Sequence, residues 1–193
     1  MHIVIEGLPG GGKTTLATQL ANRTGFVKID EMLVPIPETG DEFLYVDHDI
    51  AKTTIRNRHE DTVMDRSYLS TLGYNHANDR QKGQDTFPKI KHRIDAELVS
   101  GRLSSPDLVL YLSVPVQTSL TRQKPENASF WREEQMLQYS EVFVLSYIQE
   151  NFSDKVVYID GTQPVETVYD QAIAAIRQRT PGAAVWPLIP STC

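Results

Sequence analysis

Little in this chain would staple it, anchor it in lipid or bind it to a polyanion. Among 193 residues there is one cysteine, Cys193, so no disulfide can form within them. No apolar run approaches the roughly eighteen residues of a membrane helix, and no charged leader precedes the opening run His2-Ile3-Val4-Ile5. A cytosolic protein with no membrane partner is therefore expected. Lys and Arg never gather in a run, and 25 acids against 19 bases leave a net charge of −6. That balance disfavours a general grip on nucleic acid, including a polynucleotide 5′-kinase, while leaving room for a local basic pocket. The five histidines are scattered without ligand spacing, so no zinc site is expected. Internal repeats and interdomain linkers are absent as well. So are an Asn-Lys-x-Asp guanine reader and an Asp-x-x-Gly segment, which argues against a GTP switch of the Ras type.

What is present alternates. Strand-like segments at 2–6, 26–30, 62–65, 107–112 and 155–159 are interleaved with helical patterns at 13–22, 41–58, 67–78, 86–100, 115–122, 130–150 and 164–178. Alternation of this kind marks a parallel sheet covered by helices. With 40% hydrophobic residues the chain has enough for one sizeable α/β domain, expected over 1–179. Leu108-Val109-Leu110-Tyr111-Leu112 shows no polar alternation, as a central strand buried on both faces requires. Val165, Val168, Tyr169, Ala172, Ile173 and Ile176 repeat at helical spacing and should close the core. From Thr180 the tail, with Pro181, Pro187 and Pro190, cannot continue that helix.

The most specific motif is Gly7-Leu8-Pro9-Gly10-Gly11-Gly12-Lys13-Thr14, followed by Thr15. A strand precedes it and a helix follows, the context a phosphate-binding loop needs. Gly7, Pro9, Gly10, Gly11 and Gly12 let the backbone curl with its N–H groups inward, and the helix adds the positive end of its dipole. A triphosphate fits there. Lys13 is placed to reach the β- and γ-phosphates and the Thr14 hydroxyl to hold Mg²⁺. In such sheets chemistry gathers at the carboxyl ends of the strands, and polar residues follow them here: Asp30-Glu31, Asp65-Arg66-Ser67 and Asp160-Gly161-Thr162-Gln163. Asp65 suits Mg²⁺, which takes carboxylate and water oxygens. Arg66 offers a planar fork to a phosphate or to the oxygen that accepts one, and Ser67 is a candidate helix cap.

The segment from Val63 through Asp65-Arg66-Ser67 to Tyr74-Asn75 resembles the Asp-Arg-Tyr or Glu-Arg-Ser region of the thymidylate kinase and deoxynucleoside kinase superfamily. Ser105-Pro106-Asp107 through Ser113-Val114-Pro115 is similar to the fourth strand and following turn of thymidylate kinases. With the phosphate loop and Ile159-Asp160-Gly161-Thr162, the resemblance spans nearly the whole chain in order. It implies a P-loop NTPase fold, a five-stranded parallel sheet in the order 2-3-1-4-5 with helices on both faces and a mobile lid at about 122–134. It also implies ATP and Mg²⁺ as cofactors and a small-molecule acceptor, first a deoxynucleoside monophosphate such as dTMP. A nucleoside or another small hydroxyl compound is the alternative.

Departures from the family pattern keep both acceptors open. Deoxynucleoside kinases have Glu-Pro-Val after the second strand and thymidylate kinases an arginine-containing stretch, where this chain has Asp30-Glu31-Met32-Leu33-Val34-Pro35. Glu31 is the candidate base for a hydroxyl acceptor, with Glu38 second. Arg122 and Arg132 are the lid cations that would stabilise charge on the transferring group. Gly161, Thr162 and Gln163 are expected beside adenine by family position. The acceptor pocket is expected from Phe43, Asp47, Tyr68, Tyr74, Asn75 and Arg93, with Tyr45 and Phe87 as further stacking candidates and His48 or His76 as further lining candidates, although aromatic residues at helical spacing also serve as core. Homodimers are common among such proteins, so a second copy is a candidate partner, but no interface is marked in the sequence.

Overall fold

A computed structural model describes residues 1–34, 41–123 and 132–179. Strands β1 (His2–Gly7), β2 (Val27–Ile29), β3 (Thr62–Asp65), β4 (Leu108–Ser113) and β5 (Val156–Asp160) form one parallel sheet in the order β2-β3-β1-β4-β5. Helices α1 (Lys13–Thr24), α2 (Leu44–Arg56), α3 (Tyr68–Lys82), α4 (Phe87–Val99), α5 (Val116–Arg122), α6 (Glu134–Phe152) and α7 (Val165–Arg179) connect and cover it. The fold class and strand order match the sequence expectation.

Successive side chains on a strand point to opposite faces, and both faces here are buried. Leu108, Leu110 and Leu112 pack with Ile3 and Ile5 against Leu16 and Leu20 of α1 and Ile173 and Ile176 of α7. Val109 and Tyr111 pack on the other side with Leu72 of α3, Ile90 and Ile94 of α4, and Val144 and Ile148 of α6. Each such aliphatic side chain contributes about 1.5–3 kcal/mol when fully buried. Two-sided burial explains why β4 lacks a polar alternation.

Element ends differ modestly from expectation. The second strand is shorter, and α2 begins at Leu44 instead of 41. Helix α3 runs on to Lys82 and stops at Gly83, while Ser67 caps its start by accepting from Leu69 N–H at 3.2 Å. Glu38, most of the expected lid and the tail from Thr180 lie outside the described residues.

Strand order puts β1 in the centre, so the loop that leaves it is flanked by the ends of β3 and β4. Gly7 makes that exit narrow. Its φ is +137°, and a Cβ there would stand 2.4 Å from the Leu112 carbonyl oxygen of β4. Only glycine fits both the torsion and the contact.

Candidate active site

The loop after β1 turns directly into α1. The first of the helix hydrogen bonds runs from Leu16 N–H to Gly12 O at 3.0 Å, so the N–H groups of Lys13, Thr14 and Thr15 are those that helix geometry leaves for an anion. Helix α5 braces the loop from outside, where Ser119 Oγ donates to Pro9 O at 2.6 Å. Arg122 lies against Gly10 and its Nη1 donates to Gly161 O at 2.8 Å. Lys13 Nζ is buried and donates to Leu8 O at 2.7 Å. Burial, with Arg66 nearby, pulls Lys13 down to about 7.

Asp65 ends β3 beside this loop. Its Oδ2 accepts from Thr14 Oγ1 at 2.5 Å, and its buried Oδ1 has no hydrogen-bond partner. An orphaned carboxylate oxygen is costly inside a protein, and a cation is the group that would satisfy it. Asp65 and Thr14 therefore fit Mg²⁺, which when bound would neutralise phosphate charge at this spot. Among the described residues no group of three or more His, Cys, Asp or Glu could hold a metal alone, so most remaining ligands would come from phosphate and water.

Arg66 occupies the left-handed region at φ +60°, where a side chain costs about 1–2 kcal/mol. Its surroundings fix it there. Its N–H donates to Ile5 O at 3.1 Å, and Lys52 Nζ donates to the carbonyls of Asp65 and Arg66 at 2.8 and 2.7 Å. Ser67 N–H and Oγ donate to Glu6 Oε1 at 2.9 and 2.8 Å, and Ser70 Oγ donates to Glu6 Oε2 at 2.6 Å. Burial raises the Glu6 carboxyl, an effect that Arg66 and the two serines oppose. The Arg66 guanidinium thus has a defined direction: Nη1 donates to Ser70 Oγ at 2.9 Å and to Gly7 O at 3.3 Å, and Nε pairs with Glu31 Oε1 at 2.8 Å. Partial burial works against ionisation of Glu31, yet Arg66, Lys13 and Lys52 together hold it below the usual carboxylate range.

Two cavities lie on either side of the phosphate loop and this turn. The first, of about 220 Å³, lies behind the phosphate loop and is lined by Gly10, Gly11, Gly12, Thr15, Arg122, Gly161 and Gln163 among others. Thr162 turns away from it, with its N–H and Oγ1 both donating to Asp160 Oδ1 at 2.9 and 2.6 Å. The second, of about 150 Å³, opens between α2 and α3 and is lined by Glu31, Met32, Tyr45, His48, Asp49, Lys52, Arg66, Ser67, Ser70, Thr71 and Tyr74. Arg66 borders this second cavity and contacts the phosphate loop through Gly7.

Of the six residues expected at the acceptor, Tyr74 lines the second cavity and the other five do not. Tyr68 is 2% exposed and packs in the core. Asn75 donates to Thr71 O within α3 at 2.8 Å. Phe43, Asp47 and Arg93 meet one another instead, the guanidinium carbon lying 5.6 Å from the Phe43 ring centroid and Nη2 lying 3.3 Å from Asp47 Oδ1. Arg93 is drawn off by Glu97, a buried carboxylate that also pairs with Arg102. Arg132 is exposed just ahead of α6.

Glu6, Asp49, Lys52, Ser70 and Thr71 were not singled out from the sequence. A signal was available. On α2, Tyr45, His48, Asp49 and Lys52 are spaced i, i+3, i+4, i+7, and Ser67, Ser70, Thr71 and Tyr74 repeat the spacing along α3. Two polar stripes of helical period facing each other make a lined cleft.

No family model matches the chain. A protein described as a probable thymidylate kinase of Picrophilus torridus is 25% identical over 200 residues, covering 91% of this chain and 95% of that protein. A thymidylate kinase of Lactobacillus helveticus is 24% identical over 211 residues, covering 93% and 96%. In structure, a deoxyadenosine kinase from M. mycoides with bound dATP superposes with a TM-score of 0.67 at 20% identity, over 92% of this chain and all of that one. The phosphate loop, the sheet order, the Asp65-Arg66-Ser67 turn and end-to-end similarity to these kinases agree, and together they support a P-loop kinase of the thymidylate kinase and deoxynucleoside kinase superfamily.

Proposed function

We propose that this chain is a Mg²⁺- and ATP-dependent phosphotransferase whose acceptor is a deoxynucleoside monophosphate such as dTMP. The observation that carries this reading is Arg66, which contacts the phosphate loop through Gly7 O at 3.3 Å and borders the cavity between α2 and α3. Donor and acceptor would meet there. The phosphate-loop N–H groups and Lys13 hold the β- and γ-phosphates, while Asp65 and Thr14 hold the metal. An oxygen of the acceptor's phosphate takes the γ-phosphoryl group as its bond to the ADP oxygen breaks. Such a transfer asks mainly for alignment and screening of charge, which a fixed guanidinium at the junction supplies. Arg122, near Gly10 and Gly161, and Arg132 act from the lid. Gly161 and Gln163 border the space assigned to adenine. The reading carries with it one catalytic domain over 1–179 in the cytosol, with a second copy of the chain as a candidate partner.

A second reading, transfer to a nucleoside hydroxyl, is favoured by one observation. The charged groups lining the acceptor cavity balance, Glu31 and Asp49 against Lys52 and Arg66, and Lys52 is already committed to backbone carbonyls. A neutral acceptor suits that balance, with Glu31 taking the hydroxyl proton. ADP release measured with Mg²⁺-ATP across nucleosides and their monophosphates separates the two. Stimulation strongest with dTMP supports the first reading, and stimulation by nucleosides alone replaces it with the second. Removing Mg²⁺ is expected to abolish either, and Asp65→Asn to raise the Mg²⁺ requirement about tenfold or more. An unchanged requirement would leave Asp65 a purely structural role.

A further inference from the structure

The helices flanking the acceptor cavity face each other in three levels. Lys52 and the turn at Arg66 form the level nearest the phosphate loop. Asp49 and Thr71 form the next, and Tyr45 and Tyr74, with ring centroids 6.0 Å apart, form the outermost. Along either helix one turn is about 5.4 Å. An acceptor whose reacting end lies at Arg66 therefore brings its ring up to the middle and outer levels.

The middle level has a fixed polarity. Thr71 Oγ1 donates to Asp49 Oδ2 at 2.7 Å, and both residues are buried, at 8% and 6% exposure. A hydroxyl that has given its proton away offers only lone pairs, and a carboxylate has no proton to give. This level therefore asks its ligand for a donor. The neighbouring His48 has the opposite character. Its Nε2 accepts from Leu33 N–H at 2.9 Å, which leaves Nδ1–H as the ring's donor.

We propose that Asp49, oriented by Thr71, is a specificity-determining residue that accepts an N–H from the base of the acceptor, in dTMP the ring imide N–H. The assignment rests on the functional reading above and goes beyond it by naming which edge of the base is recognised. A base with a lone pair at that position would meet a buried carboxylate lone pair to lone pair, and the mismatch is large because both partners are desolvated.

The test compares dTMP with the monophosphate of 5-methyl-2-pyrimidinone deoxyriboside, whose N3 carries a lone pair where thymine carries N–H. Wild type is expected to favour dTMP by about ten- to a hundredfold in kcat/KM. Asp49→Asn, whose amide offers a donor as well as an acceptor, is expected to shrink that ratio at least about tenfold. Comparing that ratio between wild type and variant cancels the other differences between the two compounds. Should Asp49→Asn fail to fold, Thr71→Val keeps the carboxylate but frees its orientation, and equilibrium binding of the two compounds should show a reduced preference. A ratio unchanged by both substitutions, or no preference in wild type, overturns the assignment while leaving the phosphotransferase standing. If wild type transfers phosphate to no nucleoside or monophosphate, the functional reading falls and the assignment falls with it.

Discussion

Lys13 shows how one buried side chain couples chemistry to pH. Burial and Arg66 hold it at about 7, far below an ordinary lysine, and a polyphosphate against Nζ must draw it back up. Above about pH 7 the lysine is then neutral before nucleotide binds and charged afterwards, so binding takes up a proton and affinity declines as pH rises. Below about pH 7 it is charged in both states and contributes no uptake. Calorimetry of ATP binding at pH 8 in two buffers of different ionisation enthalpy should show an uptake of roughly one proton that is lost in Lys13→Met. Buffer-independent heats would contradict this account. Glu31 separates the two acceptor chemistries at the same scale. As a positioner of Arg66 it should cost less than about tenfold in kcat with dTMP when changed to Gln, whereas as a general base it should cost about a hundredfold or more with a nucleoside.

At the scale of elements, α3 carries the site on one side and the core on the other. Its inner face packs on α6 through Gly73, where a Cβ would stand 2.5 Å from Val144 Cγ2 and 2.8 Å from Ser140 Oγ. An exposed helical Gly→Ala gains about 1 kcal/mol from propensity, but overpacking against a stiff β-branched neighbour costs about 1–3 kcal/mol. Gly73→Ala should therefore lower the denaturation midpoint, and a raised midpoint would mean that α3 and α6 separate easily. The same helix shows what could be seen in advance. The phosphate loop and Asp65-Arg66 were legible because each depends on local spacing or a place at the end of a buried strand, whereas the sheet order was implied by the family resemblance. The acceptor wall was less so, because aromatic type does not reveal direction. Tyr68 and Tyr74 lie on the same helix, yet one faces the core and the other the cleft. Arg93 looked available, but Glu97, one turn further along α4, and Asp47, which the fold brings within its reach, take its donors.

Across the molecule, a chain of net charge −6 concentrates cations where its central strands end. Lys13 and Arg66 converge beside the phosphate loop, Arg122 braces its outer side, and Lys52 locks the turn that carries Arg66. The doubly wound sheet accounts for this convergence, since neighbouring parallel strands deliver their following loops to one edge. Among the described residues no helix is long and apolar enough to cross a membrane. The central claim, that donor phosphates and acceptor meet across Arg66, is tested most directly by following the γ-phosphoryl group itself. With γ-labelled ATP, Mg²⁺ and dTMP, the account predicts label in the β-phosphate of dTDP and its loss in Arg66→Ala. Label appearing only as inorganic phosphate, whether or not dTMP is present, would contradict it.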